Sequence, residues 1–149
     1  MRRKSLLALA LFVVFGLGGA ASAQGLGNLR SWAGKYPTER KGRVTRSFFR
    51  LPAVQRPLAA TLSRKDFNLL TRTYQLETPI KELGDYLAVK VCMQHACDTD
   101  QAGFAINLRT GAVYVRMQEG GEVRRFASRG DYTDLPRNVQ DFLNDFAAT

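Results

Sequence analysis

"YLAVKVCMQHACDTDQAGFAINLRTGAVYVRM", Tyr86 to Met117, is the stretch that decides the fold. Three segments within it alternate: Leu87, Val89 and Val91; Phe104, Ile106 and Leu108; Val113, Val115 and Met117. A period of two puts alternate side chains on one face of an extended chain, so each segment reads as a β-strand with an inward face. Thr110-Gly111 is a tight turn between the second and third, and such short connections join antiparallel neighbours. The pattern extends in both directions. Downstream, Gly120-Gly121 is a second hairpin signal and "EVRRFAS" reads as a last strand. Upstream, "LETPIKEL" is a weak strand interrupted by Pro79; proline cannot donate to a ladder, so this segment belongs at an edge or a bulge. Gly84-Asp85 turns from it into Tyr86. The sum is an antiparallel meander of about five strands.

Two helices are expected beside the sheet. "SRKDFNLLTRTYQ" carries Phe67, Leu70 and Tyr74 at i, i+3 and i+7, with Ser63 as cap and Asp66 supporting the first-turn amides. At the C-terminus Leu135, Val139, Phe142, Leu143 and Phe146 make an apolar stripe at helical spacing, with Asp134 as cap and Pro136 in the first turn. The fold class is therefore α+β, an antiparallel sheet covered on one face by a C-terminal helix and a short N-terminal helix. Before Ser63 there is no clear periodicity. Phe48, Phe49 and Leu51 are the first residues expected to be buried, and Pro52 and Pro57 read as punctuating a loop. Trp32, in a glycine-rich stretch, is a core residue, a loose anchor or a partner contact. The domain reading is 1–23 leader, 24–62 basic and partly mobile segment, 63–149 α+β domain.

The leader reading rests on "MRRKSLLALALFVVFGLGGAASAQ". Arg2, Arg3 and Lys4 precede an apolar run to about Leu17, and Ala21-Ser22-Ala23 is a small-x-small cleavage signal. This is the three-part pattern of a secretory signal peptide, and the run is short for a membrane span. Cleavage after Ala23 and a periplasmic location are expected. Export fixes how charge and cysteine are read. Gln24 to Lys65 holds ten basic residues and one acidic, net +9; Asp66 to Thr149 holds nine basic and twelve acidic, net −3. A basic segment thus precedes a mildly acidic remainder, and in an exported protein its natural anionic neighbours are cell wall and lipid head groups rather than nucleic acid.

The chain's only two cysteines and its only histidine fall together in "CMQHAC", Cys92 to Cys97. A metal site could use Cys92, His95 and Cys97, but structural zinc wants four ligands and a fourth would have to be Asp98, Asp100 or water. Disulfide oxidoreductases use Cys-x-x-Cys at a helix N-terminus, whereas this spacing is longer and lies between strands. A nucleophilic cysteine beside His95 would need a free thiolate and an orienting third group. An oxidising compartment with two cysteines and none left over favours a disulfide. Such a bond closes a very short loop and adds about 2 kcal/mol by the loop-entropy relation. It would make Met93, Gln94, His95 and Ala96 either a rigid presenting loop or a plain hairpin staple. There is no nucleotide-binding glycine loop, no nucleophile elbow and no Cys-x-x-Cys-His, so neither a cofactor nor an enzymatic activity is expected. Arg129-Gly130-Asp131 is a tripeptide common by chance.

"GDYLAVKVCMQHAC" followed by "AGFAINLRTGAVYVRM" resembles the inhibitor of vertebrate lysozyme (Ivy) family, over roughly Gly84 to Met117 with a weaker echo in the C-terminal helix. The resemblance implies a periplasmic proteinaceous inhibitor of c-type lysozyme, or of another muramidase. It implies that the stapled loop enters the active-site cleft and His95 reaches the catalytic carboxylates, framed by Cys92 and Cys97; beside this loop, Asp98 and Asp100 are candidate acceptors for secondary contacts. The family usually has Lys-Pro before the histidine and an acidic or amide residue after it; here Met93, Gln94 and Ala96 stand there. The alternative is an envelope protein that binds peptidoglycan or anionic lipid, or a modulator of a bacterial lytic enzyme, with the loop a purely structural staple.

Overall fold

The structure is a computed structural model and describes residues 26–145. The leader read over residues 1–23 and the stripe residue Phe146 lie outside them.

A short 3-10 turn, Asn28–Trp32, leads into a two-stranded ribbon of β1 (Thr38–Lys41) and β2 (Val44–Ser47). Helix α1 (Pro52–Thr61) and helix α2 (Arg64–Asn68, continued by a wider π turn over Leu69–Thr73) follow. The main sheet then forms from β3 (Leu76–Glu77), β4 (Lys81–Leu83), β5 (Tyr86–Cys92), β6 (Gln101–Asn107), β7 (Val113–Glu119) and β8 (Glu122–Ala127). Helix α3 (Arg137–Asn144) ends the described chain. All pairings in the main sheet are antiparallel and run β3-β5-β6-β7-β8, with β4 also on β5. The meander is thus as expected, in six strands. Pro79 splits "LETPIKEL" into two edge pieces, and Ile80 between them turns inward and is buried.

The expected inward faces are buried except at Leu108, which lies past the end of β6 and is half-buried. Leu87, Val89 and Val91, Phe104 and Ile106, and Val113, Val115 and Met117 form one continuous core with Leu70, Tyr74 and Ile80. Three expectations are corrected. Pro52–Thr61 is a helix, not a loop. Pro52 stands at its start, where a missing N–H costs nothing, and Pro57 removes one internal hydrogen bond. The helix forms because Val54 and Leu58, at i and i+4, are buried in the core, and Leu62 is buried just past its end. Next, the sheet is covered on both faces. Three of the strand positions between the expected core residues are small, Ala88, Gly103 and Ala105. They admit Val139 and Leu143 of α3, which with Tyr114, Tyr132 and Leu135 build a second core. Gly103 is required there, since a Cβ would come within 2.9 Å of Leu143 Cδ2 and 3.2 Å of its carbonyl oxygen. Finally, Asp134 does not cap α3. It closes a capping box with Asp131 around the 3-10 turn Tyr132–Asp134, and α3 starts after Pro136 with no side-chain cap. The same box engages Asp131 of the Arg-Gly-Asp tripeptide, whose carboxylate accepts from Thr133 N–H and Oγ1 and is held below its usual pKa by those bonds.

The chain before Ser63 packs with the rest. Leu26, Leu29, Trp32, Phe48 and Phe49 join the main core, and Phe48 and Phe49 meet Phe104 edge to face at 6.1 and 5.7 Å. Trp32 is a core residue, 5.6 Å from Phe48 between ring centroids.

Candidate functional site

Strands β5 and β6 pair up to Cys92↔Gln101, so residues 93–100 form the loop that joins them. Cys92 and Cys97 are disulfide-bonded, with Cα atoms 5.0 Å apart. Both sulfurs are bound to each other, which removes the free thiolate that a metal ligand or a nucleophile would need.

Within the staple, Ala96 N–H donates to Met93 O at 3.1 Å and closes a four-residue turn with Gln94 and His95 at its centre. His95 has φ of 66°, and among the described residues it is the only non-glycine in the left-handed region. An L-residue there is strained by about 1–2 kcal/mol, so the surrounding frame must hold it. The four loop residues named from the sequence have different settings. Met93 is half-buried against the main core, Gln94 and His95 are exposed at the apex, and Ala96 is half-buried.

The frame is built largely by residues the sequence did not single out. Met93 N–H donates to Asp100 O at 2.9 Å, and Asp100 N–H to Ala96 O at 2.7 Å. The β7–β8 hairpin braces the other side. Gly121 N–H donates to Thr99 O at 3.1 Å, and Gly120 N–H to Asp100 Oδ1 at 3.2 Å. Thr99 Oγ1 donates to Asp100 Oδ2 at 2.7 Å, so the Asp100 carboxylate is engaged within the loop's own support. Asp98 is exposed, while its carbonyl accepts from Gln118 Nε2 at 2.9 Å. Gln118 Oε1 in turn accepts from Gln101 Nε2 at 2.9 Å and from Arg116 Nη2 at 3.1 Å. The signal for these braces was the Gly-Gly turn, already read as a hairpin, and polar Gln101 and Gln118, which face each other across β6 and β7. Leu76 was also missed. It pairs with Cys92 on β3, and its side chain is 46% exposed, an apolar shoulder beside the staple.

Behind the loop, Tyr74 is buried and its hydroxyl donates to Gln118 O at 3.1 Å. Burial, then the carboxylates of Asp100 and Glu119, push its pKa up to about 12 from 10. The fold therefore needs the phenol neutral. The unfolded chain loses that proton near pH 10 and the folded chain near 12, so Tyr74's contribution is complete below pH 10 and falls as pH rises to 12. The thermal midpoint is expected to drop across that window, and Tyr74→Phe, although less stable at neutral pH, is expected to drop less steeply. Parallel slopes for the two proteins would refute this role.

The sequence was compared with known families and proteins. A family model described as "Inhibitor of vertebrate lysozyme (Ivy)" matches residues 53–149. No match was found among curated proteins or among solved structures. The family match takes in α1, which opens it, the whole main sheet, the Cys92–Cys97 loop and α3, a span wider than the Gly84–Met117 resemblance. The match covers well over half of the chain, and it spans the main sheet, the disulfide and the exposed histidine together: the chain belongs to the inhibitor of vertebrate lysozyme family.

Proposed function

We propose that the protein is exported to the periplasm and there blocks the active-site cleft of a c-type lysozyme with the His95 loop. The observation that carries this reading is His95 itself: exposed, strained into the left-handed region, and held at the apex of a turn that is stapled below and braced on one side. A c-type lysozyme works with one carboxyl of raised pKa and one ionised carboxylate flanking the scissile bond. An imidazole between them can donate to one and accept from the other, or donate to both when protonated. Because the loop is fixed before it binds, little conformational entropy is lost on entering the cleft. Gln94 offers an amide on the same apex, Asp98 an exposed carboxylate at its foot, and Leu76 an apolar contact at the rim. The target enzyme is a host lysozyme or a muramidase of the cell's own wall metabolism.

The test is the lysis of cell walls by a c-type lysozyme in the presence of the purified protein, repeated with a short soluble oligosaccharide of wall amino sugars. If the loop fills the cleft, inhibition is competitive with the oligosaccharide, and the apparent inhibition constant rises linearly with its concentration. Inhibition indifferent to the oligosaccharide would rule out the cleft. The absence of inhibition at micromolar protein would rule out the host enzyme as target, and the same assay with the cell's own muramidases then decides whether the reading survives.

A further inference from the structure

The β1–β2 ribbon lies outside the residues that carry the family match and contributes nothing to the loop's frame. Lys35 to Ser47 holds five basic residues, Lys35, Arg40, Lys41, Arg43 and Arg46, and a single acidic one, Glu39. Among the described residues none of the five has a carboxylate within ion-pair distance, although Arg30, Lys65, Arg109, Arg124 and Arg137 all do. Lys35 and Arg46 rest over the Trp32 ring, at 6.0 and 5.5 Å from its centroid. Arg40, Lys41 and Arg43 surround the tip. Both strands are mostly exposed, and the ribbon is anchored at its base, by Phe48 N–H to Pro37 O at 2.7 Å and by Thr38 to the Glu77 carboxylate at 2.7 and 3.0 Å.

Apolar exposure falls in the same place. Of four large hydrophobic side chains left exposed among the described residues, two are here: Tyr36 at 52% and Val44 at 62%. Val44 pairs directly with Lys41 across the ribbon, so an aliphatic group and an ammonium stand side by side at the tip. A free two-stranded ribbon with an apolar residue at its end is unfavourable in water and is normally covered or charged. Unbalanced cations beside an exposed aliphatic residue fit the boundary between phosphate head groups and acyl chains. A glycan strand would instead call for an aromatic platform at the contact, and the tip from Arg40 to Val44 holds no aromatic residue; Tyr36 stands before the first strand.

We infer that the β1–β2 ribbon docks the protein on an anionic phospholipid surface, with Arg40, Lys41 and Arg43 on lipid phosphates and Val44 entering the interface. The inference is independent of the inhibitory reading. Anchoring would hold the His95 loop at the envelope rather than leave it to diffuse.

The experiment is co-sedimentation of the exported protein with vesicles of phosphatidylcholine and phosphatidylglycerol in a three-to-one ratio. Vesicles of phosphatidylcholine alone and purified peptidoglycan are run beside them. Binding is expected to the anionic vesicles only, and to weaken as salt rises. Each basic residue at such a surface contributes a factor of about five, so replacing Arg40, Lys41 and Arg43 together by Gln should weaken binding on the order of a hundredfold. Val44→Ser should weaken it by a smaller factor that salt does not alter. These side chains are exposed, so an unchanged circular dichroism spectrum and thermal midpoint will show that the variants fold. Binding to peptidoglycan but not to vesicles, no binding to anionic vesicles at low salt, or a triple variant that binds like the wild type would each overturn the inference. Lysozyme inhibition measured without vesicles reports on the loop alone, so failure of either reading is visible separately.

Discussion

Replacement of His95 by glycine is expected to weaken inhibition of a c-type lysozyme by about ten- to a hundredfold while leaving the protein at least as stable as before. The loss follows from removing a side chain proposed to hydrogen-bond charged carboxylates, an interaction of about 1.5–3 kcal/mol. The stability effect has a separate origin. His95 sits at φ of 66°, where an L-residue is strained by about 1–2 kcal/mol and glycine is not. Glycine also gives the unfolded chain more freedom, an opposing cost of about 0.5–1 kcal/mol. The net change is near zero or slightly stabilising. His95→Asn is the matched control, since asparagine tolerates the left-handed region and keeps a donor and an acceptor. Its inhibition should fall between those of wild type and the glycine variant. Inhibition constants and thermal midpoints of the three proteins test this together. A glycine variant that inhibits like the wild type removes His95 from the mechanism. One that loses several degrees of midpoint would show that the histidine serves the loop's folding rather than a target.

That a strained, exposed histidine can be found from the chain at all depends on which signals survive in a sequence. The alternation of Leu87, Val89 and Val91 and of Val113, Val115 and Met117 was legible because each strand has a large inward face, and burial of that face fixes the register. The second core was not legible. Beneath α3 its sheet face includes Ala88, Gly103 and Ala105, beside Tyr114, and small residues signal nothing by hydropathy; their meaning is the space they leave for Leu143. Helix α1 was misread because Pro57 is a breaker by local rule, yet Val54 and Leu58 buried on one face, with Leu62 buried at the C-cap, outweigh one lost hydrogen bond. The site divides in the same way. Cys92, His95 and Cys97 stand together in the sequence, and the structure bonds the two cysteines. The braces come from Gln118, Gly120 and Gly121, about twenty residues later, and only the hairpin's return brings them beside the loop. Local spacing revealed the exposed apex; the rigidity beneath it is a tertiary property.

That rigidity has a distant support, which the second large effect would expose. Asp66→Ala is expected to destabilise the protein by about 3 kcal/mol, a fall of about 10 °C in thermal midpoint for a domain of this size. Asp66 is only 3% exposed. Its backbone N–H donates to Ser63 Oγ at 3.1 Å, and its Oδ2 accepts from that hydroxyl at 2.8 Å, which caps α2. Its Oδ1 lies 2.7 Å from Arg124 Nη2 on β8, an ion pair rather than an aligned hydrogen bond. This carboxylate is the main reason the Arg124 guanidinium is pushed still further up. Arg124 and Lys65 also hold Glu119, at 3.1 and 2.7 Å. Glu119 faces Glu122 across the Gly120-Gly121 turn, a like-charge pair that would open the hairpin end if left unbalanced. Gly120 and Gly121 are the residues whose N–H groups brace Asp100 and Thr99. Alanine at 66 keeps the N–H that Ser63 caps but removes the carboxylate that accepts from the Ser63 hydroxyl and orients that cap, leaves the Arg124 guanidinium to Glu119 alone, and so loosens the hairpin end that supports the His95 turn. Arg124 is partly exposed, so the cost falls at the lower end of the range for breaking a buried pair. Two measurements separate the local from the global effect. Calorimetry gives the midpoint, and hydrogen exchange at the Gly120 and Gly121 amides, under conditions where the variant is still folded, reports the brace. Faster exchange at both, with inhibition weakened less than by His95→Gly, is the expected pair of results. A midpoint within two degrees of wild type would mean that the Asp66–Arg124 contact stabilises nothing. Unchanged exchange in a destabilised variant would confine Asp66 to the helix cap and leave the loop's rigidity to the disulfide and its own turn.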